Sequence, residues 1–292
     1  MQIFHIDFNH ELVKKHRVRT FLRFLLWQVK SRIFRKDFIH EWIDDSRFYV
    51  RSGERGLTQN LYVGLAEFDD MSFLLHCLQK DDFFFDIGAN SGSYSILAGA
   101  VVGANVVAIE PVGASFERLK RNLVLNQIES SACALNVALG AEPGFALITS
   151  SLDTLNQIIV GDSQMATSKV EIQTLDEISA NRIPSLIKLD VEGWETEVLR
   201  GGMKTLQNSN LLALILELNE SGSRYGFSDL EIVNMLSKFG FEAFSYNPLN
   251  RELKLLDGKN PKGGNTIFIR NLAEVSKRLR TAPKRAILRN WI

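Results

Sequence analysis

Four mainly apolar runs, each followed directly by an acidic residue, alternate with helical segments in the middle of the chain. The runs occupy residues 83–85, 106–109, 186–189 and 211–216, and the acids that follow them are Asp86, Glu110, Asp190 and Glu217. Strands that alternate with helices predict an α/β fold with a doubly wound, mostly parallel sheet. Because ligands bind such sheets at the carboxyl ends of the strands, these acids mark the expected site.

We expect seven strands in this sheet. The other three are predicted at residues 133–137, 241–246 and 266–270. The last two follow each other without an intervening helix, which predicts that one of them is antiparallel. Residues 144–172 lack the regular alternation and are expected to form hairpin or edge elements. Ser228 and Glu231 have the spacing of a capping box, which predicts a helix from residue 228.

Length and composition suit one large core, because 45% of the 292 residues are apolar. We divide the chain into a helical appendage (1–45), an α/β domain (46–272) and a basic C-terminal tail (273–292), whose basic runs at 277–280 and 284–285 could be frayed. The 34 Lys and Arg balance 34 Asp and Glu, so we expect no nucleic acid as a partner. Cys77 and Cys133 stand in unrelated contexts, which favours a reducing, cytoplasmic location. The sequence does not indicate the oligomeric state.

The appendage contains a basic amphipathic helix within residues 11–36. Its apolar residues recur at helical spacing, and they are Val18, Phe21, Leu22, Leu25, Val29 and Ile33. Arg23 and Lys30 interrupt the segment, so its longest uncharged run is too short to span a membrane. One interpretation is peripheral docking on an anionic membrane surface, at the inner face of the membrane. The other is a helix packed on the domain with one solvated face.

The turn after the first strand, residues 86–92, points to a nucleoside cofactor. Gly88 and Gly92 allow a tight turn and a close approach of backbone to ligand. The dinucleotide fingerprint and the phosphate-binding P-loop are both missing here. Glu110, at the end of the next strand, can accept hydrogen bonds from both hydroxyls of a ribose. Asp86 would repel a pyrophosphate but suits a cationic amino-acid end, which S-adenosylmethionine has.

Four motifs resemble those of the FkbM-type methyltransferases, in order and in spacing. They are D-I-G-A-N-S-G at 86–92, N-V-A-L-G at 136–140, T-L-D at 174–176 and I-K-L-D-V-E-G at 187–193. The resemblance extends over roughly residues 60–270. It implies a class I, Rossmann-like methyltransferase fold and S-adenosylmethionine as the cofactor. It also implies O-methylation of sugars or small secondary metabolites.

The same resemblance implies the residues that hold the cofactor. These are Asp86, Gly88, Ala89, Asn90, Gly92, Glu110 and Asp190. It also implies that Asn136, Val137 and Ala138 lie beside the adenine. The basic N-terminal helix lies outside the matching region, so the family implies nothing about its role.

A hydroxyl acceptor must lose its proton as the methyl group is transferred, and general-base assistance contributes roughly 10²–10⁴-fold. All five histidines lie at or before His76, which we interpret as a packing residue. The predicted catalytic residues are therefore Asp190, Glu192 and Lys188. Lys188 lies on the same side of its strand as Asp190, so the two form either a catalytic or a merely structural pair. Asp190 and Glu192 could face the cofactor and the acceptor separately.

Two alternatives stay open at this point. Asp190, Glu192 and Glu217 could together hold a divalent metal, although carboxylate clusters without a metal are commoner and we expect none. The chain could instead methylate nucleic acid, or serve as a non-catalytic cofactor-binding or membrane-peripheral module. The acidic region around the expected pocket favours a glycan or small-molecule acceptor.

Overall fold

The computed structural model describes residues 10–14, 16–33, 37–51, 57–149, 157–159, 167–288 and 290–292. The helices are α1 (Arg17–Ile33), α2 (Thr58–Val63), α3 (Phe68–Cys77), α4 (Ser93–Ile96), α5 (Gly113–Leu125), α6 (Leu175–Ser179), α7 (Glu195–Arg200), α8 (Met203–Gln207), α9 (Asp229–Lys238) and α10 (Leu272–Thr281). A π-helix at Leu97–Val102 continues α4, and a 3-10 helix occupies Ser221–Tyr225.

The strands are β1 (Phe38–Glu41), β2 (Arg47–Val50), β3 (Phe83–Ile87), β4 (Asn105–Ile109), β5 (Ala132–Leu135), β6 (Ala138–Leu139), β7 (Gly144–Thr149), β8 (Ile158–Ile159), β9 (Thr167–Gln173), β10 (Leu186–Leu189), β11 (Ala213–Glu217), β12 (Glu242–Asn247), β13 (Glu252–Leu255), β14 (Asn265–Ile269), β15 (Ala286–Ile287) and β16 (Asn290–Trp291).

Eight strands form the main sheet, in the order β13-β12-β14-β11-β10-β3-β4-β5. The five strands from β11 to β5 run parallel, and β14 is antiparallel to both of its neighbours. All seven predicted strands are present, and the expected antiparallel strand is confirmed. The eighth strand, β13, was missed because it is an exposed edge strand, whose alternating sequence Glu252–Leu255 contains no apolar run.

Helices cover both faces of this sheet, because neighbouring strand residues belong to two different cores. Phe84 and Leu186 face the core that α3, α5 and α10 close. Phe85 and Ile187 face the opposite core, which α7, α8 and α9 close. The strands are therefore apolar on both sides, as in doubly wound sheets. The predicted α/β fold is confirmed.

A second, four-stranded sheet has the order β6-β9-β7-β8. β7 pairs antiparallel with both β8 and β9, and β8 is an edge strand, in line with the hairpin or edge elements expected within residues 144–172. Ala138, Ile148, Ile158 and Val170 form a small core of this sheet with Val112 of the main domain. Residues 150–156 and 160–166, which also belong to the predicted stretch, lie outside the described residues.

The segments before and after the α/β core, as far as the structure describes them, pack against the domain. β1 and β2 form a hairpin, so the boundary expected at residue 45 falls inside its turn. The tail expected over residues 273–292 is folded rather than frayed. α10 buries Val275 and Leu279, and Arg278 pairs with Asp82 at 2.6 Å. Two apolar residues one helical turn apart hold this helix to α3 even though its other faces are basic.

The capping box expected at the start of α9 forms only in part. The Ser228 hydroxyl accepts a hydrogen bond from the backbone N–H of Glu231, 3.3 Å away. The Glu231 carboxylate instead pairs with Arg200 at 2.7 Å. A complete capping box begins α6, where Thr174 and Glu177 exchange both hydrogen bonds. Arg200, on the neighbouring helix α7, competes for the Glu231 carboxylate. The spacing of Ser228 and Glu231 in the sequence cannot indicate this tertiary contact.

Candidate active site

The carboxyl ends of β3, β4, β10 and β11 surround a cavity of about 380 Å³. Asp86, Glu110, Asp190 and Glu217 all line it. Parallel pairing of β3 with β10 sets Lys188 opposite Asp86, one strand away. The structure therefore brings together the four acids that the strand pattern marked.

Two glycines shape the loop after β3. Gly88 has a φ of +80°, and a Cβ atom there would lie 1.8 Å from the backbone oxygen of Asp190. The loops after β3 and β10 thus pass too closely for any other residue at this point. Gly92 has a φ of +89°, and its missing Cβ would lie 2.6 Å from Leu119 of α5. Gly88, Ala89 and Asn90 are among the described lining residues of the cavity, whereas Gly92 packs the loop on α5.

Asp86 is buried at the end of β3, with 2% of its surface exposed. Its Oδ2 accepts a hydrogen bond from the Ser95 hydroxyl in α4, 2.6 Å away. Burial raises the pKa of Asp86 to about 6, although the Ser95 hydrogen bond and the charge of Lys188 act in the opposite direction. A positively charged ligand group in the cavity would favour the ionised carboxylate.

Glu110 joins the loops after β3 and β4. One carboxylate oxygen accepts the backbone N–H of Asn90 at 2.8 Å, and the other accepts that of Val112 at 2.9 Å. Burial raises the pKa of Glu110 to about 7, and these two hydrogen bonds partly oppose the shift. Each oxygen retains a second acceptor position that a ligand hydroxyl could use.

The residues expected beside the adenine differ in their placement. Asn136 is exposed, and its amide donates to the carbonyl oxygens of Glu110 and Pro111, at 2.8 and 3.0 Å. Val137 and Ala138 line the cavity as part of an apolar wall. Asn136 therefore positions the loop after β4, and its two successors supply surface to the cavity.

Lys188 is buried on β10 beside the cavity. Its Nζ lies 3.0 Å from Oδ2 of Asp190 and 3.2 Å from Oδ1 of Asn265. Burial lowers the pKa of Lys188, but the charges of Asp190 and Glu67 outweigh burial and raise it overall. Lys188 therefore stays protonated and cannot accept a proton from a substrate, so it positions and neutralises Asp190.

Sequence reasoning missed the polar residues behind Lys188. The Asn265 amide donates to Glu67 at 2.6 Å and to Asp70 at 3.1 Å. The Tyr94 hydroxyl donates to the same oxygen of Glu67, at 2.6 Å. Burial raises the pKa of Asp70 to about 7, and the Glu67 charge adds to the shift. No local spacing could have found this network, because Asn265 and Glu67 are 198 residues apart.

Asp190, Glu192 and Glu217 form a carboxylate cluster whose oxygens lie within 4.8 Å of one another. Burial raises the pKa of Glu192 to about 7 and that of Glu217 to about 8, and the Asp190 charge adds to both shifts. Asp190 and Glu192, which could face the cofactor and the acceptor separately, have carboxylate oxygens in the same cluster, and Glu192 has a φ of +56°. The cluster could share protons or hold a hard divalent ion, and the Lys188 ammonium already neutralises part of it.

Aromatic residues border the cavity next to the second sheet. Trp194 lines the cavity and packs edge-on against Tyr225, with ring centroids 4.9 Å apart. The Tyr225 hydroxyl donates to the backbone oxygen of Ile158 at 2.7 Å, which ties the 3-10 helix to β8. His76 is buried with its Nδ1 2.7 Å from the Tyr246 hydroxyl, which confirms its packing role.

The model of the FkbM methyltransferase domain matches residues 86–243, more than half of the chain. The chain belongs to the FkbM methyltransferase family. Methyltransferases of this family take their methyl group from S-adenosylmethionine, so the protein is an S-adenosylmethionine-dependent methyltransferase. The family predicted from the four motifs is confirmed.

One curated relative of this FkbM methyltransferase is the hexuronic acid methyltransferase AglP of Haloferax volcanii. It is 26% identical over 196 residues, which cover 66% of this chain and 77% of the relative. Among solved structures, a precorrin-6Y C5,15-methyltransferase from Geobacter metallireducens matches with a TM-score of 0.43 and 13% identity, over 77% of this chain and 94% of that one. A rRNA methylase from Streptococcus thermophilus matches with a TM-score of 0.39 and 16% identity, over 68% and 91%.

Proposed function

We propose that this methyltransferase acts on a hydroxyl group of a sugar or glycan, with a carboxylate of the Asp190–Glu192–Glu217 cluster as general base. The observation that carries the proposal is the cluster itself, which shares a cavity with the expected cofactor residues. Burial raises the pKa of two of its members to about 7 and 8. General-base assistance is most effective when the pKa of the base lies near the working pH.

The residues around the cavity suit S-adenosylmethionine, which would supply an activated methyl group. We assign Asp86 to its positively charged amino-acid end and Glu110 to the ribose hydroxyls. Gly88, Ala89 and Asn90 line the cavity, so the loop after β3 borders the space that the cofactor would occupy. Val137 and Ala138 offer an apolar surface to the adenine ring.

Within the cluster we assign the base to Glu217. One oxygen of Asp190 is paired with the Lys188 ammonium at 3.0 Å, so this carboxylate is already engaged in an ion pair. Glu217 stands at the end of β11, where it lines the cavity, and burial raises its pKa to about 8. We therefore assign the proton acceptor to Glu217, with Lys188 positioning the cluster around it.

The acceptor that suits this cavity is a neutral or amino sugar. The relative named above acts on a hexuronic acid, which supports a sugar acceptor for this chain. The described lining, however, carries six carboxyl groups and one cation, Lys188, and the carboxyl groups are Glu67, Asp86, Glu110, Asp190, Glu192 and Glu217. A negatively charged uronate would meet repulsion in such a cavity. We therefore expect a neutral hexoside to be methylated in preference to the matching hexuronide.

Methyl transfer from labelled S-adenosylmethionine to a neutral hexoside and to the matching hexuronide tests the proposal. We expect Glu217→Gln to lower kcat by roughly 10²–10⁴-fold, the contribution of a general base. Binding of S-adenosylhomocysteine should change little. Glu242→Gln, on an exposed position of β12, is the matched control and should behave as the wild type.

The pH profile provides a second readout. Because the base acts in its ionised form, the wild-type kcat/KM should rise with pH through the range of about 7 to 8. Glu217→Gln should remove or displace this rise. Full activity of Glu217→Gln, or transfer to nucleic acid and to no sugar hydroxyl, would contradict the assignment.

A further inference from the structure

One face of helix α1 packs against the domain. Thr20, Trp27 and Ser31 are buried on this face. The ring of Phe24 packs edge-on against Tyr62 of α2, with ring centroids 5.4 Å apart. The helix therefore lies along the surface of the domain with a fixed rotation about its own axis.

The opposite face of α1 is apolar and exposed. Val18, Leu22, Leu25 and Val29 follow one another at spacings of four, three and four residues, which places them in one stripe. Phe21 and Leu26 widen the stripe, and the six side chains have exposed fractions between 41% and 74%. A continuous apolar stripe of this size, directed away from the core, marks an interaction surface.

Cations border the stripe, and α1 contains no acidic residue. Arg19, Arg23 and Lys30, spaced by four and seven residues, follow one side of it. Arg17 and Arg32 lie near its two ends. Some of these cations also contact the domain, since Lys30 lies over the Phe38 ring with its Nζ 4.2 Å from the centroid.

We propose that this apolar stripe docks the enzyme on an anionic lipid surface, with the helix lying in the plane of the interface. Apolar side chains then enter the acyl boundary while the basic side chains extend to the lipid head groups. Charge complementarity selects this occupant, because a row of cations without acids matches a negatively charged surface. A second copy of α1 is a poor partner, since its own cations would meet those of the first.

Sedimentation of the full-length protein with vesicles tests the proposal. One set contains equal parts of phosphatidylglycerol and phosphatidylcholine, and the other contains phosphatidylcholine alone. We expect binding to the first set, weakened by salt, and little binding to the second. The double variant Leu22→Gln with Leu26→Gln should reduce binding at least tenfold without lowering Tm, because both side chains are exposed in the free protein.

Two further variants test the contribution of the α1 cations and the position of the binding surface on the protein. The double variant Arg17→Gln with Arg19→Gln should weaken binding by about five-fold per charge, in line with the usual attraction of a basic residue to an anionic surface. Leu230→Gln, on an exposed position of α9, is the matched apolar control and should bind as the wild type. The proposal is overturned by equal binding to both vesicle sets, by no binding at all, or by a wild-type dimer that the Leu22/Leu26 variant dissociates.

Discussion

The two sides of the cavity are assembled in different ways. On the side that we assign to the cofactor, called the cofactor side below, Asp86 bonds to Ser95, nine residues away, and Glu110 bonds to Asn90 and Val112, 20 and two residues away. On the side that we assign to the acceptor, called the acceptor side, the network that begins at Lys188 depends on Asn265, 77 residues away. The hydrogen bonds on the cofactor side thus join residues within the segment 86–112. The hydrogen bonds on the acceptor side form only when strands that are distant in the sequence pair with one another.

This difference has a physical consequence for the two sides. Hydrogen bonds between consecutive loops hold the cofactor side in shape through local geometry. The acceptor side instead contains a buried cation and several carboxyl groups, and each of these is costly without its partners. Loss of one partner should therefore destabilise the acceptor side more than the loss of one charge disturbs the cofactor side.

The largest expected effect is that of Lys188→Met. Removing the buried partner of an ion pair costs up to about 3–5 kcal/mol of the free energy of unfolding, and solvent access to the partly exposed Asp190 reduces this cost. Denaturant unfolding measures this loss. The exposed Lys204→Met is the control and should be close to neutral. The defect should shrink at about pH 5, where the freed carboxylates take up protons. A stable Lys188→Met protein at neutral pH would show that the network behind Lys188 is not required.

Gly88→Ala tests the junction between the two sides. The new Cβ would meet the backbone oxygen of Asp190, and the left-handed conformation at φ +80° disfavours alanine. We expect a loss of about 2–3 kcal/mol in the free energy of unfolding, from backbone strain and steric overlap together. Gly113→Ala is the control, because nothing lies within 4 Å of a Cβ at Gly113. A Gly88→Ala protein with wild-type stability and wild-type affinity for S-adenosylhomocysteine would rule out the close passage.

Smaller effects are expected from Asp86→Asn and Glu110→Gln, which preserve shape and remove charge. Calorimetric titration with S-adenosylhomocysteine should show affinity reduced about tenfold in each variant, equivalent to about 1.4 kcal/mol. Asp86→Asn removes the charge assigned to the amino-acid end, and Glu110→Gln removes one acceptor assigned to the ribose. Their unfolding free energies should change less than that of Lys188→Met. Unchanged affinity in both variants would remove these two residues from the cofactor site.

Local sequence predicted which strand ends meet at the cavity. The glycine turn at 86–92 and the acids at strand ends are features of short segments, and the parallel sheet brings them together as expected. The same reasoning did not foresee contacts between side chains and partners outside their own segment. The Asn136 amide donates to the backbone of the loop after β4, and Glu231 pairs with Arg200 rather than closing a capping box.

The sequence by itself determined the α/β alternation, the family and the strand ends at which the acids stand. It could do so because strand burial, glycine turns and motif spacing are properties of neighbouring residues. The tertiary structure alone decided that Glu67, Asp70 and Asn265 stand behind Lys188, and that the apolar stripe of α1 faces outward. Both outcomes depend on which distant surfaces meet, and no local pattern in the chain encodes that.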